Sequence, residues 1–433
     1  MPRLSDAPNQ ASAVRGSSVL MIAYAYPPIS ASGVIRTVSF ARRLPAFGWV
    51  PTVLTVRHAK DSDMRTGEVV PPDIAVIRTP EYNLQGFVEF LQGATNRLAT
   101  LLGSELRDRF YRDLMCIPDP QIAWFSSIPG VRLARRADVV YVSCSPFSSA
   151  VSGWIIKTIT GRPLVLDFRD AWTLNPYNRP TGLHRAAIER LERMVIAASD
   201  HLIVNTPGAL RLYRRRYPEF ADRMSAIPNG YDTLNLAAPQ DRPTDVFRIM
   251  HVGSFYRSRG PELLLEALSA IGQHDIEFVQ VGPSHPALRA AGRLRIRIID
   301  QVPHSEALRL MRTASILYLK QGVEPGVSDY IAVAAKTYEY LATGLPILAD
   351  GPAGDNIDVV RAHAARSYIV TDAEAASMEQ AVRTAFAERA DIEARITDGF
   401  VRTFDRTELT RQLAEIFDRV CATPRGVITR SVI

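Results

Sequence analysis

The stretch "FRIMHVGSFYRSRGPELLLEALSAIGQHDIEFVQVG", Phe247–Gly282, decides the fold. An apolar run, Phe247–Gly253, gives way to a short polar loop. A helical pattern follows from Pro261, a residue suited to the first turn of a helix, and a second apolar run spans Ile276–Gly282. Two apolar runs joined by an amphipathic helix make a β-α-β unit with parallel strands.

The same rhythm recurs on either side. Before it come Ser18–Tyr26, a helical stretch over Gly33–Phe47, Pro51–Val56, Asp138–Cys144, a helix from Ser148, Pro163–Phe168, a long helix from Leu183, and His201–Thr206. After it come Leu294–Asp300, Ser315–Lys320, a helix read across "YIAVAAKTYEYLATG" (Tyr330–Gly344), Leu345–Asp350, and a closing helix over Thr407–Val420. The alternation breaks at the polar, Pro-containing segment "NGYDTLNLAAPQDRPTD" (Asn229–Asp245), which reads as a linker. The expected organisation is a disordered tail over 1–17, a first Rossmann-like domain over 18–228, a linker over 229–246, a second Rossmann-like domain over 247–400, and a C-terminal helix with its tail over 401–433, the helix packing back toward the first domain. The fold class is α/β: two Rossmann-like, doubly wound parallel sheets facing across a cleft. Ligands of such sheets bind at the carboxyl ends of the strands, where the strand order reverses.

Composition narrows the function. The chain has 433 residues, a net charge of +6 and three cysteines, Cys116, Cys144 and Cys421, far apart in sequence. Such spacing suits reduced core thiols rather than a disulfide framework or a zinc site. The eight histidines show no metal-ligand spacing, and "DSD" (Asp61–Asp63) lies in a charged loop with no strand before it, so no metal or cofactor is expected. No apolar run nears the roughly 20 residues of a membrane helix, and the first residues lack a signal-peptide core. These features predict a soluble, cytoplasmic protein. The modest basic excess suits acidic partners such as nucleotides or anionic lipid. No nucleic-acid-binding module is present. Between Arg185 and Arg216 seven arginines face three acids, and "RLYRRRY" (Arg211–Tyr217) reads either as a lipid-facing patch or as a solvated helix face.

Several residues at strand ends can carry chemistry. Gly33 opens a helix after the "YPPISAS" turn, where backbone N–H groups and the helix end attract an anion, and Arg36 lies one turn on. In "LVLDFRDAW" (Leu164–Trp172), Asp167, Arg169 and Asp170 gather where a buried strand stops. Charges there are either paired with each other or used on a ligand. Gly253 ends a strand before Arg257 and Arg259, two arginines beside a helix start that suit a diphosphate. Lys336 and Glu339, three apart on one helix, either pair with each other or reach a ligand.

In their order, "YPP", "SPFSSAVSGW", "LDFRDAW", "IPNGYD", "GSFYRSRGPELLLEAL" and "AAKTYEYLATGLPIL" resemble the retaining GT-B glycosyltransferases of glycosyltransferase family 4, in the branch found in bacterial surface-polysaccharide and glycoconjugate clusters. The resemblance covers nearly the whole chain. It implies sugar transfer from a nucleotide diphosphate sugar to an acceptor hydroxyl in a glycan, a lipid-linked or a small molecule. It implies Glu339 on the donor ribose, Arg259 on the departing diphosphate, and Gly33 in the loop closing over the donor; Lys336, on the same helix face as Glu339, either offsets charge on the diphosphate or pairs with Glu339. The pattern also departs from the family. A glutamate usual eight residues before Glu339 is Ile331 here, with Asp329 and Glu324 nearby but out of register. "GPAGD" (Gly351–Asp355) offers Asp355 as its substitute. The paired glycines of the first loop are reduced to Ser32-Gly33, and Arg169 stands where many members have histidine, leaving Asp170 or Asp167 to orient the acceptor. Three other functions compete: a sugar-nucleotide epimerase of related fold, a non-catalytic nucleotide-binding or scaffold protein, and a nucleic-acid binder.

Overall fold

The computed structural model describes residues 16–423, apart from 30–32, 58–69, 71, 82–85, 87, 88, 91, 92, 94–116, 125, 176–181, 233–245, 256–258 and 325. The first domain is a parallel sheet in the order β3-β2-β1-β4-β5-β6-β7. Its strands are β1 (Ser17–Ala23), β2 (Trp49–Val56), β3 (Ala75–Thr79), β4 (Val139–Cys144), β5 (Leu164–Phe168), β6 (His201–Val204) and β7 (Met224–Ala226). The second is a six-stranded sheet in the order β10-β9-β8-β11-β12-β13. It comprises β8 (Phe247–Val252), β9 (Ile276–Val281), β10 (Ile296–Ile299), β11 (Ile316–Lys320), β12 (Ile347–Asp350) and β13 (Ser367–Val370). Strand order reverses between β1 and β4 in one sheet and between β8 and β11 in the other, which fixes where a ligand crevice opens.

Central strands are apolar runs because both faces are covered. Every residue of β4 and β5 is buried, as parallel sheets require. Each sheet separates two apolar cores. Leu20, Val142 and Leu166 lie on one side of the first sheet, and Met21, Tyr141 and Val165 on the other. The last helix, Arg406–Ala422, returns to the first domain. Leu409, Leu413 and Phe417 enter its core, Phe417 meets Trp49 edge-on at 5.2 Å between ring centres, and the Trp49 indole donates to Asp418. The two chain crossings between domains run side by side. Tyr231 N donates to Phe404 O at 3.0 Å and Arg406 N to Tyr231 O at 3.2 Å, a short parallel bridge.

Some expectations need correction. Strands β3, β7 and β13 carry too few buried residues to show as apolar runs. The helix read from Tyr330 begins at Ala335. The carbonyl of Tyr330 accepts from Asp355 N at 2.9 Å, and that of Ile331 from Thr206 Oγ1 at 2.8 Å, so this segment is spent on tertiary bonds instead of a helical ladder. Cys421 is exposed while Cys144 is buried; Cys116 and Asp61–Asp63 lie outside the described residues. In "RLYRRRY" the aromatic half faces inward. Tyr213 and Tyr217 are buried and donate to Glu192 at 2.8 and 2.9 Å, so they are not available to a lipid surface. Among the described residues no helix is long and apolar enough to cross a membrane.

Candidate functional site

A cavity of about 290 Å³ opens where the carboxyl ends of the two sheets face each other. The first domain lines it with Gly33, Arg36, Arg169, Asp170, Asn205 and Asn229. The second supplies Arg259, Lys320, Gln321, residues 331–335 and Glu339, and Arg406 comes from the returning helix.

The charges at the end of β5 divide. Asp167 is fully buried, and its carboxylate accepts from Arg36 Nε at 2.8 Å and Nη2 at 3.0 Å, and from the Tyr141 hydroxyl. Arg36 Nη1 donates to Pro228 O at 2.6 Å, so each guanidinium nitrogen is committed. A carboxylate removed from water is tolerated when its partners are this complete. Burial and the adjacent Asp167 push the Tyr141 phenol well above its usual range. Asp167 and Arg36, both expected on ligand, are therefore turned toward each other, and Arg36 shows the cavity only its edge. Asp170, two residues beyond the strand, is exposed on the cavity wall and makes no hydrogen bond or ion pair among the described residues.

Gly33 starts the helix Val34–Arg43. A Cβ there would lie 1.6 Å from Arg169 Nη1, so only glycine lets that guanidinium lie across the loop. Arg169 Nη2 donates to Ser145 O at 2.8 Å. The Arg169–carboxylate pair conceivable from sequence does not form among the described residues.

In the second domain, Gly253 ends β8 with φ +116°, a conformation that favours glycine. A Cβ there would also crowd Lys336 Nζ at 2.8 Å. Lys336 and Glu339 do not pair with each other. Lys336 Nζ lies 3.2 Å from His251 Nε2, while His251 Nδ1 lies 2.9 Å from Tyr318 O. The carbonyl fixes the proton on Nδ1 and leaves Nε2 to accept from the lysine. Burial, then the nearby Lys336, hold the imidazole neutral, well below its usual range. Burial and Arg259 lower Lys336 to about 8, with Glu339 opposing. Glu339 is 27% exposed, with Oε1 3.6 Å from His304 Nε2. Burial raises its carboxyl, and His304, Arg406 and Lys336 act against that. Residues 332–335 bring the start of the helix Ala335–Thr343, with its positive end, to the cavity wall.

Asp355 is elsewhere. It is 5% exposed, opens the helix Asp355–His363, accepts from Gly208 N at 2.8 Å, and approaches Arg211 at 3.6 Å. It holds the second domain to the helix Pro207–Arg216 of the first, and it does not line the cavity. Ile331 packs into the first domain's core. Arg257 lies outside the described residues. Sequence reasoning missed Lys320, which reaches the cavity and pairs with buried Asp350 at 2.8 Å. Its signal was a charge at the carboxyl end of a strand, the same signal that marked Asp170. For His251 and Arg406 no local signal existed. No cluster of three or more metal-ligating side chains occurs among the described residues.

Comparison with known proteins bears on the fold and on the first domain. The sequence model of the glycosyl transferase 4-like domain matches residues 33–230. A curated relative, D-inositol 3-phosphate glycosyltransferase 1 of Catenulispora acidiphila, is 25% identical over 190 residues, which cover 38% of this chain and 44% of that protein. The chain thus spans less than half the length of that relative. Sucrose-phosphate synthase from Thermosynechococcus elongatus has a similar structure, with a TM-score of 0.65, 16% identity, and coverage of 94% of this chain and 99% of that one. Anabaena HepE in complex with UDP and glucose is similar with a TM-score of 0.59, 15% identity, and coverage of 92% and 99%. These two share the fold, which is that of GT-B glycosyltransferases.

Proposed function

We propose that the protein transfers a sugar from a nucleotide diphosphate sugar to an acceptor hydroxyl, with retention at the anomeric carbon and no protein-held metal. The observation that carries this is the pairing of two unlike walls across one cavity: Glu339 and Arg259 on one side, and on the other the carboxylate of Asp170, which has no partner among the described residues. The match of residues 33–230 to a glycosyl transferase 4-like domain and the UDP and glucose held by HepE support it.

In this reading Glu339 accepts from the two ribose hydroxyls of the donor. The bond between the anomeric carbon and the diphosphate breaks, and negative charge grows on the diphosphate. Arg259 and the helix end at Ala335, both on the cavity wall, stabilise that charge, and Lys336, which does not line the cavity, adds its charge from the same helix. Asp170 orients the acceptor hydroxyl, whose oxygen bonds the anomeric carbon while its proton passes to a basic oxygen of the site or of the leaving diphosphate. Retention and the role in surface-polysaccharide or glycoconjugate synthesis rest on the motif resemblance. We place the work in the cytoplasm, at the inner face of the membrane when the acceptor is lipid-linked. Exposed Arg215 then offers charge to anionic lipid, without help from Tyr213 and Tyr217, while Arg216 pairs with Glu189 and Arg214 donates to Met224 O.

The test is a panel of nucleotide sugars, each with and without candidate acceptors. Acceptor-dependent release of nucleoside diphosphate is the expected result, and NMR of the product gives the anomer. Free isomerised sugar nucleotide without any acceptor would instead identify an epimerase, and nucleotide binding with no turnover a non-catalytic protein.

A further inference from the structure

Cations on the cavity wall differ in how they are balanced. Arg36 is matched by buried Asp167, and Lys320 by buried Asp350. Each such pair contributes little net field to the cavity. Arg169 has no such match. Its Nη2 donates to the neutral Ser145 carbonyl, its own carbonyl accepts from Asn205 Nδ2, and it makes no ion pair among the described residues. The carboxylate next in sequence, Asp170, makes none either. The guanidinium lies against Gly33, where a Cβ would overlap it, and its bond to Ser145 O tethers it there. A half-buried guanidinium tethered through one nitrogen still presents donors of its planar fork that suit a carboxylate or phosphate. The cations we assign to the donor diphosphate, Arg259 and Lys336, belong to the opposite domain.

We propose that Arg169 is a subsite for a carboxylate or phosphate group carried by one of the two substrates, the transferred sugar or the acceptor, distinct from the donor's diphosphate. The inference rests on the glycosyl-transfer reading above and narrows its substrate class to acidic sugars or acidic acceptors. The group arrives either on the transferred sugar, as in a uronic acid, or on the acceptor beside Asp170.

The test uses the full chain as wild type, Arg169→Gln and Arg169→Lys. Calorimetry with a free nucleoside diphosphate measures the diphosphate site. Activity is then compared within two pairs of probes: a nucleotide glucuronate against the matching nucleotide glucose as donors, and a phosphorylated against an unphosphorylated polyol as acceptors. Wild type should prefer the acidic member of one pair, and which pair tells where the group resides. Arg169→Gln should lower kcat/KM for that member roughly ten- to a hundred-fold, the loss expected for hydrogen bonds to a charged group, and leave diphosphate affinity unchanged. Should Arg169→Gln fail to fold, Arg169→Lys carries the test, since it keeps the charge, loses the fork, and should weaken the acidic member alone. Equal losses for both members of a pair would overturn the proposal, as would a wild type that prefers neither acidic probe. A parallel fall in diphosphate affinity would overturn it too, by putting Arg169 in the diphosphate cradle. A wild type that binds no nucleoside diphosphate at all would remove the glycosyl-transfer reading, and this subsite with it.

Discussion

Gly208→Ala is a change that should reverse its usual sign. Gly208 sits in the first turn of the helix Pro207–Arg216, where replacing glycine by alanine ordinarily stabilises by up to about 1 kcal/mol. Here a Cβ would stand 2.4 Å from Asp355 Oδ2. The aspartate must retreat, and its bond from Gly208 N, 2.8 Å long and charge-assisted, is lost. Such a bond contributes about 1.5–3 kcal/mol. Subtracting the helix gain leaves a net destabilisation of about 0.5–2 kcal/mol. The assay is urea unfolding of the wild type, Gly208→Ala, Asp355→Ala and the double variant. With Asp355 removed the obstruction is gone, and Gly208→Ala should return to its ordinary stabilising sign. The cycle should therefore show a coupling of about 1.5–3 kcal/mol between two residues 147 positions apart. Additive effects, with Gly208→Ala stabilising in both backgrounds, would refute the contact between domains.

Other outcomes follow from the same geometry. Glu339→Gln should weaken nucleoside diphosphate binding about ten- to a hundred-fold by calorimetry without changing the melting temperature; unaltered affinity would remove the residue from the site. Asp170→Asn should abolish transfer while the donor still binds, so normal turnover would show that another group orients the acceptor. Burial and Arg259 lower Lys336 to about 8. Its ammonium is held below that pH and lost above it, so diphosphate affinity should fall as pH rises from 7 to 9, and Lys336→Met should flatten that dependence. Arg36→Met leaves Asp167 buried and unpaired, and should cost about 3–5 kcal/mol in denaturant unfolding.

What the sequence showed was place, and what it hid was pairing. Apolar runs such as Val139–Cys144 announce buried strands because both faces of the sheet are covered. Edge strands such as β13, with only two of its four residues buried, carry no such pattern. Charges at strand ends marked the crevice, since burial there demands a reason. Yet Asp167 and Asp170 look alike in a line of text, and only the positions of Arg36 and Tyr141 separate the inward from the outward carboxylate. Asp355 misled for a similar reason. Its place after a strand suggested a ligand, but its partner, Gly208, comes from the other domain. The start of the helix Ala335–Thr343 was misjudged because the carbonyls of Tyr330 and Ile331 are claimed by groups distant in sequence.

The bridge between Tyr231 and the segment Phe404–Arg406 bears on how the molecule moves. Two separate tethers would let one half tumble freely against the other. Here both are zipped together where they cross, so the crossing acts as one pin, and the Gly208–Asp355 contact fastens the halves at a second point. The last helix is the leaf fastened to the frame, and a chain cut before Asp405 would lose both the pin and the cover over Trp49 and Tyr141.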